Sequence, residues 1–218
     1  MAALHIGRRV PDCVMKKFPS LAVMEFGSIA DGIFCTDALL KRAPIAMIKS
    51  GTISNGRYLI IIGGSTASVE ESLNEALAIG QASRMDHAFL PDVHDSVHDA
   101  ILGQHAPIEQ DAVAILETGT VAANVRAAEL ALKGTKVKLV ELRIADYEMS
   151  GKAISVYNGE LHEIEAAMEM ACDFLRGHKE YVQHRIICQP HEVLTRRLAE
   201  GTRFDTSTHQ ELDGEEVS

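Results

Sequence analysis

Tryptophan is absent from this chain, and aromatic residues make up only 5% of its 218 positions. Stacking platforms for nucleobases and aromatic-lined ligand clefts both draw on such side chains, so neither is well supplied. Cysteine is scarce. Cys13, Cys35, Cys172 and Cys188 form no CxxC pair, and Cys35 and Cys172 fall inside helical patterns. That spacing argues for buried free thiols rather than a disulfide framework or a thiolate metal site. No apolar run reaches the roughly 18 residues that span a bilayer. The opening stretch, MAALHIGRRVPDCVMKKFPS, has basic residues but no apolar core of the length a secretory signal needs. The expectation is a cytoplasmic protein without a membrane partner. Positive charge is also in deficit, with 21 Lys and Arg against 31 Asp and Glu and a net charge of −10. Nucleic acid is therefore excluded as a partner, since it calls for a basic stripe. Part of the acid sits in the tail 202–218, which lacks apolar periodicity and is predicted to stay disordered.

What the chain does have is itself, twice. Ala22–Lys41 aligns 92 positions later with Ala114–Lys133, so that Glu25 falls on Glu117, Gly27 on Gly119 and Lys41 on Lys133. After a three-residue insertion, Gly56-Arg57 matches Gly151-Lys152 and Val69-Glu70 matches Ile164-Glu165. A solenoid repeat spans about 20–50 residues. This period is longer and has the size of a small domain. The expected organisation is an N-terminal extension (1–20), a first domain (21–104), a second domain (105–201) and the acidic tail.

Within the first copy, Leu21–Phe26 reads as a strand, followed by a helix capped by Ser28 and running to about Arg42. Ile45–Ile48 reads as a strand, Gly51–Gly56 as a loop and Tyr58–Ile62 as a buried strand. A helix over Ser68–Ile79, an edge strand near Ala88–Val93 and a short helix from His94 to Leu102 complete it. The second copy predicts strands at Val113–Glu117, Val137–Leu142, Ala153–Tyr157 and Tyr181–Ile187. Its helices are expected at Thr120–Lys133, Ile164–Leu175 and His191–Glu200. Each unit is β-α-β-β-α-β plus a terminal helix, a ferredoxin-like α+β sandwich with helices on one face of an open sheet.

Chemistry is thin. IIIGGSTAS (Ile60–Ser68) joins a strand to a helix N-terminus and could hold phosphate. It lacks a GxGxxG run and a P-loop lysine, which favours a tight structural turn. His94 and His98 are spaced for one metal ion, yet no third ligand supports them, so helix-capping or surface roles are expected. Glu25 and Glu117 each end an apolar strand without a His, Lys or Cys partner, and read as carboxylates capping the next helix. No catalytic set closes, and an enzyme is not expected. The two loops before the third strand of each copy differ most: Gly51–Gly56 against Asp146–Gly151. A duplicated scaffold that diverges at one loop points to function there.

The runs AVMEFGSIADGIFCTDALLKRAPI and AVAILETGTVAANVRAAELALKGTKV resemble the opening strand, helix and second strand of the bacterial microcompartment shell family. Ile62-Gly63-Gly64 and Asn158-Gly159 resemble its turn before the second long helix, and Ile187–Glu192 resembles its I-x-R-P-H-E segment. The order is unpermuted, as in the tandem-domain branch from propanediol-utilisation compartments. The resemblance implies a homotrimer whose six domains imitate a hexamer and tile a shell with other hexamers and pentamers, around encapsulated enzymes. It implies a central pore lined by Ile53, Ser54, Asn55 and Gly56 alternating with Tyr147, Glu148, Met149, Ser150 and Gly151. An inward Glu148 would set three carboxylates around the opening and disfavour anions. Contacts at tile edges are implied for Lys41, Lys133, His94, Gln189 and His191. Where an iron–sulfur-binding branch has Cys in its first pore loop, this chain has Ser54. A hydroxyl is a poor cluster ligand, so no cofactor and no metal are expected. Two other readings remain open: a trimeric ferredoxin-like regulator that binds a small molecule, and a metal or iron–sulfur redox protein.

Overall fold

A computed structural model of the chain describes residues 17–144, 149–178, 180–205 and 207. The first half runs β1 (Ser20–Phe26), α1 (Ile29–Arg42), β2 (Met47–Ile53), β3 (Arg57–Gly64), α2 (Thr66–Ile79), β4 (Arg84–Leu90) and α3 (Asp95–Ile101). The second runs β5 (Ala112–Thr118), α4 (Val121–Gly134), β6 (Lys138–Ile144), β7 (Ala153–Gly159), α5 (Leu161–His178), β8 (Tyr181–Cys188) and α6 (Glu192–Glu200). Each half is an antiparallel four-stranded sheet, ordered β2-β3-β1-β4 and β6-β7-β5-β8. The α+β class and the tandem repeat are as the sequence pattern predicts.

All seven residues of β1 are buried, so both faces of the first sheet are covered at its centre. On one face Ala22, Met24, Phe26, Ile60 and Ile62 pack on Cys35 and Leu39 of α1 and on Val69, Leu73 and Ala76 of α2. On the other, Leu21, Val23, Leu59 and Ile61 join Leu90, Val97 and Ile101 in a cluster that continues into the second domain. The far face of the second sheet is closed by α6, with Leu198 over Val113, Val140 and Val156. Helices on one face alone would have left these apolar rows in water, at about 1.5–3 kcal/mol for each large side chain. The helix α6 removes that cost for the second sheet, whereas α3 packs on β6 and α4 of the second domain.

Several element boundaries differ from expectation, and two of them bear on the site. Gly51, Thr52 and Ile53 are not loop but the end of β2, paired with Leu59, Tyr58 and Arg57 of β3. The turn is only the one-turn 3-10 helix Ser54–Gly56. The fourth strand starts at Arg84 rather than near Ala88. A bulge shifts its register so that Asp86 faces Glu25 while Arg84 faces Phe26, and β8 repeats the shift at Gln183 and Tyr181.

Candidate functional site

The described parts of the two divergent turns lie side by side. Asn55 and Gly56 have φ of 65° and 69°, and Ser150 and Gly151 have φ of 50° and 82°. Both turns thus use the same left-handed pair, which is why each ends in glycine. The Gly151 N–H donates to Ser54 Oγ at 2.8 Å. The Arg57 guanidinium, at the start of β3, donates to the carbonyls of Gly119 and Gly151, each at 3.1 Å. A Cβ on Gly151 would sit 2.7 Å from that guanidinium and displace it from the two carbonyls. Ser54 is buried and turned toward the neighbouring turn, while Asn55, Gly56 and Ser150 are exposed. Ile53 and Met149 are half-buried beside them. Tyr147 and Glu148 lie outside the described residues.

Beneath the turns is a charged seam between the domains. Glu25 is fully buried, and its Oε1 accepts the Ala122 N–H at 2.7 Å. A carboxylate at a helix N-terminus meets unpaired N–H groups and the positive end of the helix dipole. The expectation that Glu25 caps the next helix in sequence is corrected: Ser28 caps α1, and Glu25 caps α4 of the other domain. Its second oxygen has the Arg57 guanidinium at 3.7 Å. Burial raises the Glu25 pKa from 4.5 to about 7, with Asp86 adding to the rise and the Ala122 N–H, Arg57 and the Val121 N–H opposing it. Glu180 is also raised, first by burial and then by Asp86. Asp86 itself accepts the Thr120 hydroxyl. Among the described residues the counterpart Glu117 caps no helix; it pairs with Lys152 at 2.6 Å.

The remaining candidates fall into place around this seam. His94 and His191 cap α3 and α6, each ring Nδ1 accepting the N–H two residues on, at 3.1 and 3.2 Å. His98 is buried and accepts the Phe18 N–H, away from that cap. The Glu129 carboxylate accepts the His94 N–H at 3.0 Å, and Lys133 reaches across to the Asp92 carbonyl. Lys41 is exposed and paired with Asp37 at 2.5 Å. Gln189 is exposed, has φ of 48° and donates its N–H to the Asp111 carbonyl at 2.6 Å. Gly63 and Gly64 allow close strand packing, since Cβ atoms there would meet Leu21 at 2.8 Å and the Ala46 nitrogen at 3.2 Å. The turn expected at these glycines is corrected: both belong to the paired end of β3, and Ser65 alone joins that strand to α2. Among the described residues, no group of three His, Cys, Asp or Glu could hold a metal ion, and no helix is long and apolar enough to cross a membrane. Ser54, which stands where the cluster-binding branch has a thiolate, is a buried hydroxyl that already accepts a hydrogen bond, and it does not fit an iron–sulfur cluster.

A duplicated α+β unit whose two turns meet above a buried seam defines a tandem-domain protein. The BMC domain matches twice, at residues 20–93 and 112–190, and the chain belongs to that family. It is 31% identical over 182 residues to the bacterial microcompartment shell protein PduT of Citrobacter freundii, covering 84% of this chain and 98% of that protein. A microcompartment protein from Desulfitobacterium hafniense superimposes with a TM-score of 0.71 at 30% identity, over 81% of this chain and 98% of the other. The fused permuted hexameric shell protein of the RMM microcompartment shares the fold at 18% identity, with a TM-score of 0.51 over 72% of this chain and 81% of the other. The role is structural, as a component of a microcompartment shell.

Proposed function

We propose that three copies of this chain close into a pseudohexagonal ring of six BMC domains that tiles the shell and carries a central pore for small polar metabolites. The observation that supports this reading is the contact of Ser54 with Gly151, which sets the turns of the two domains next to one another with matching backbone geometry. Three such pairs around an axis suit a cyclic assembly. The exposed Asn55, Gly56 and Ser150 then face the opening, and Ser54 braces it from behind. Neighbouring tiles, both hexamers and pentamers, meet the rim near Lys41, Lys133, His94, Gln189 and His191, and encapsulated enzymes face one side. Because the Lys133 ammonium is engaged by Asp92 and Glu129, its aliphatic stem is the part offered to a neighbour. The tile works in the cytoplasm, catalyses no reaction and holds no iron–sulfur cluster.

Negative-stain microscopy of the purified chain tests the ring. Flat particles of hexagonal outline, or sheets of them, are the expected result, and a monomer at micromolar concentration overturns it. The same preparation is expected to be colourless and free of iron; stoichiometric iron would show that another ligand set replaces Ser54.

A further inference from the structure

A cleft of about 340 Å³ lies between β4 of the first domain and α4 and α5 of the second. Its walls are mainly apolar, with Phe89 on the strand, Ala123 on α4 and Phe174 on α5. Into this lining the chain sets Arg126, His87, His178 and Asp86. A mostly apolar cleft with a few convergent polar groups is the usual form of a small-molecule site, and this volume sits at the small end of that class.

Arg126 sets the cleft apart. It is half-buried, and among the described residues its guanidinium has no hydrogen-bond or ion-pair partner. The chain has 31 acidic residues against 21 basic ones, so partners are plentiful. A cation that loses part of its hydration without gaining a counter-charge is a cost the fold has no need to carry. Nor does the repeat call for a cation there. The matching residue of α1, 92 positions earlier, is Phe34, and the counterparts of Phe174 and His178, 95 positions earlier, are Ile79 and Ser83.

His87 makes the same point. In β8 a histidine holds the same register, His184 opposite Leu116 as His87 is opposite Met24. The His184 Nδ1 has partners in its own domain, Tyr181 Oη at 3.0 Å and Cys172 Sγ at 3.4 Å. Around His87 those places are held by Arg84 and Leu77, and its ring nitrogens have no partner among the described residues. Burial and then Arg84 lower the His87 pKa while Asp86 opposes them, so at pH 7 the ring is neutral and offers one N–H. Asp86 is occupied elsewhere: Oδ1 accepts the His87 backbone N–H at 2.7 Å, and Oδ2 accepts the Thr120 hydroxyl. The His178 Nδ1 donates to the Phe174 carbonyl at 2.8 Å, and its ring lies 4.1 Å from the Phe174 ring, which fixes it as part of the wall.

We propose that this cleft binds a small monocarboxylate with an apolar body. Arg126 takes the carboxylate through its two-pronged fork, His87 adds an N–H, and Phe89 and Phe174 carry the hydrocarbon. One unpaired guanidinium in apolar surroundings matches a single negative charge. A phosphate dianion would find its second charge uncompensated and close to Asp86. Because β4 belongs to one domain and α4 and α5 to the other, the bound molecule bridges the two and stabilises their joint. The site lies within one chain and does not depend on the ring.

Fluorine NMR of trifluorobutyrate titrated with the full chain tests the site. A saturable change in the signal is expected, reversed by excess butyrate but not by butanol or inorganic phosphate. Arg126→Gln should weaken binding by on the order of tenfold, and Arg126→Lys, which keeps the charge and loses the fork, by less. Butyrate should raise the thermal midpoint of the wild type and leave that of Arg126→Gln where it was. Circular dichroism checks that both variants keep the fold. Absence of saturable binding to the wild type overturns the proposal. Equal binding by wild type and Arg126→Gln overturns it as well, because the carboxylate then sits elsewhere. Competition by inorganic phosphate as strong as that by butyrate would mark a general anion site and overturn the assignment to carboxylates.

Discussion

Raising the pH from about 5 to about 8 lowers the stability of this protein, and Glu25→Gln removes most of that loss. The folded chain holds the Glu25 proton more tightly than the unfolded chain, since burial lifts the pKa from 4.5 to about 7. Below the unfolded value the group is neutral in both states and its contribution is fully present. As pH rises through about 7 the buried side chain ionises and the contribution is lost; above that it stays constant. The gap between the two values corresponds to on the order of 3 kcal/mol. Glutamine keeps an oxygen for the Ala122 N–H and never ionises, so it stays at the low-pH level throughout. Arg57, Asp86 and Glu180 also face this seam, and Glu180 tilts the profile in the same direction. Urea unfolding of wild type and variant across this range isolates the Glu25 part. Parallel profiles for the two proteins would show that Glu25 does not carry the pH dependence.

This seam marks the limit of what the amino-acid pattern could disclose. The strands, helices and capping histidines were legible because each is encoded within a few residues: Ser28 before an amphipathic run, His94 and His191 before short helices. The duplication made the domain count legible too. The partner of Glu25 was not, since Ala122 lies 97 positions away and the helix expected to receive the carboxylate already has its own serine cap. The end of β2 was misread for a related reason. Ser50, Gly51 and Thr52 have loop-like composition, and their strand conformation is imposed by pairing with β3. For the turns, divergence between copies pointed to the right place. Only the structure distinguishes Ser54, which braces the neighbouring turn, from Asn55 and Ser150, which reach solvent.

Gly32→Asn is expected to destabilise the first domain by about 3 kcal/mol, and Tyr58→Ala in the same chain to recover part of that, since alanine removes the ring but keeps the Cβ that would lie 2.6 Å from the added one. The argument comes from comparing the two copies at one contact between helix and sheet. In the first domain a Cβ on Gly32 would lie 2.5–2.6 Å from Tyr58 side-chain atoms, so α1 sits on the tyrosine only because the helix has no side chain there. In the second domain the matching positions are Asn124 and Ala153. The large and small partners have changed places, and the Asn124 amide now donates to the Ala153 and Leu116 carbonyls at 3.4 and 3.5 Å. Each copy fills the same space from opposite sides, and a mixed pair overfills or empties it. For a chain of this length the single variant should unfold roughly 6–12 °C lower. Tyr58→Ala alone should also destabilise, by leaving a cavity of up to a tyrosine ring beside Gly32. Calorimetry on the four proteins of the cycle decides. Additive losses would mean that the exchange between the copies is coincidental, whereas recovery in the double variant shows that helix and sheet co-vary in size to hold α1 and α4 at the same height above their sheets. That height sets where the faces of α1 and α4 stand, and so whether six domains can be neighbours in one ring.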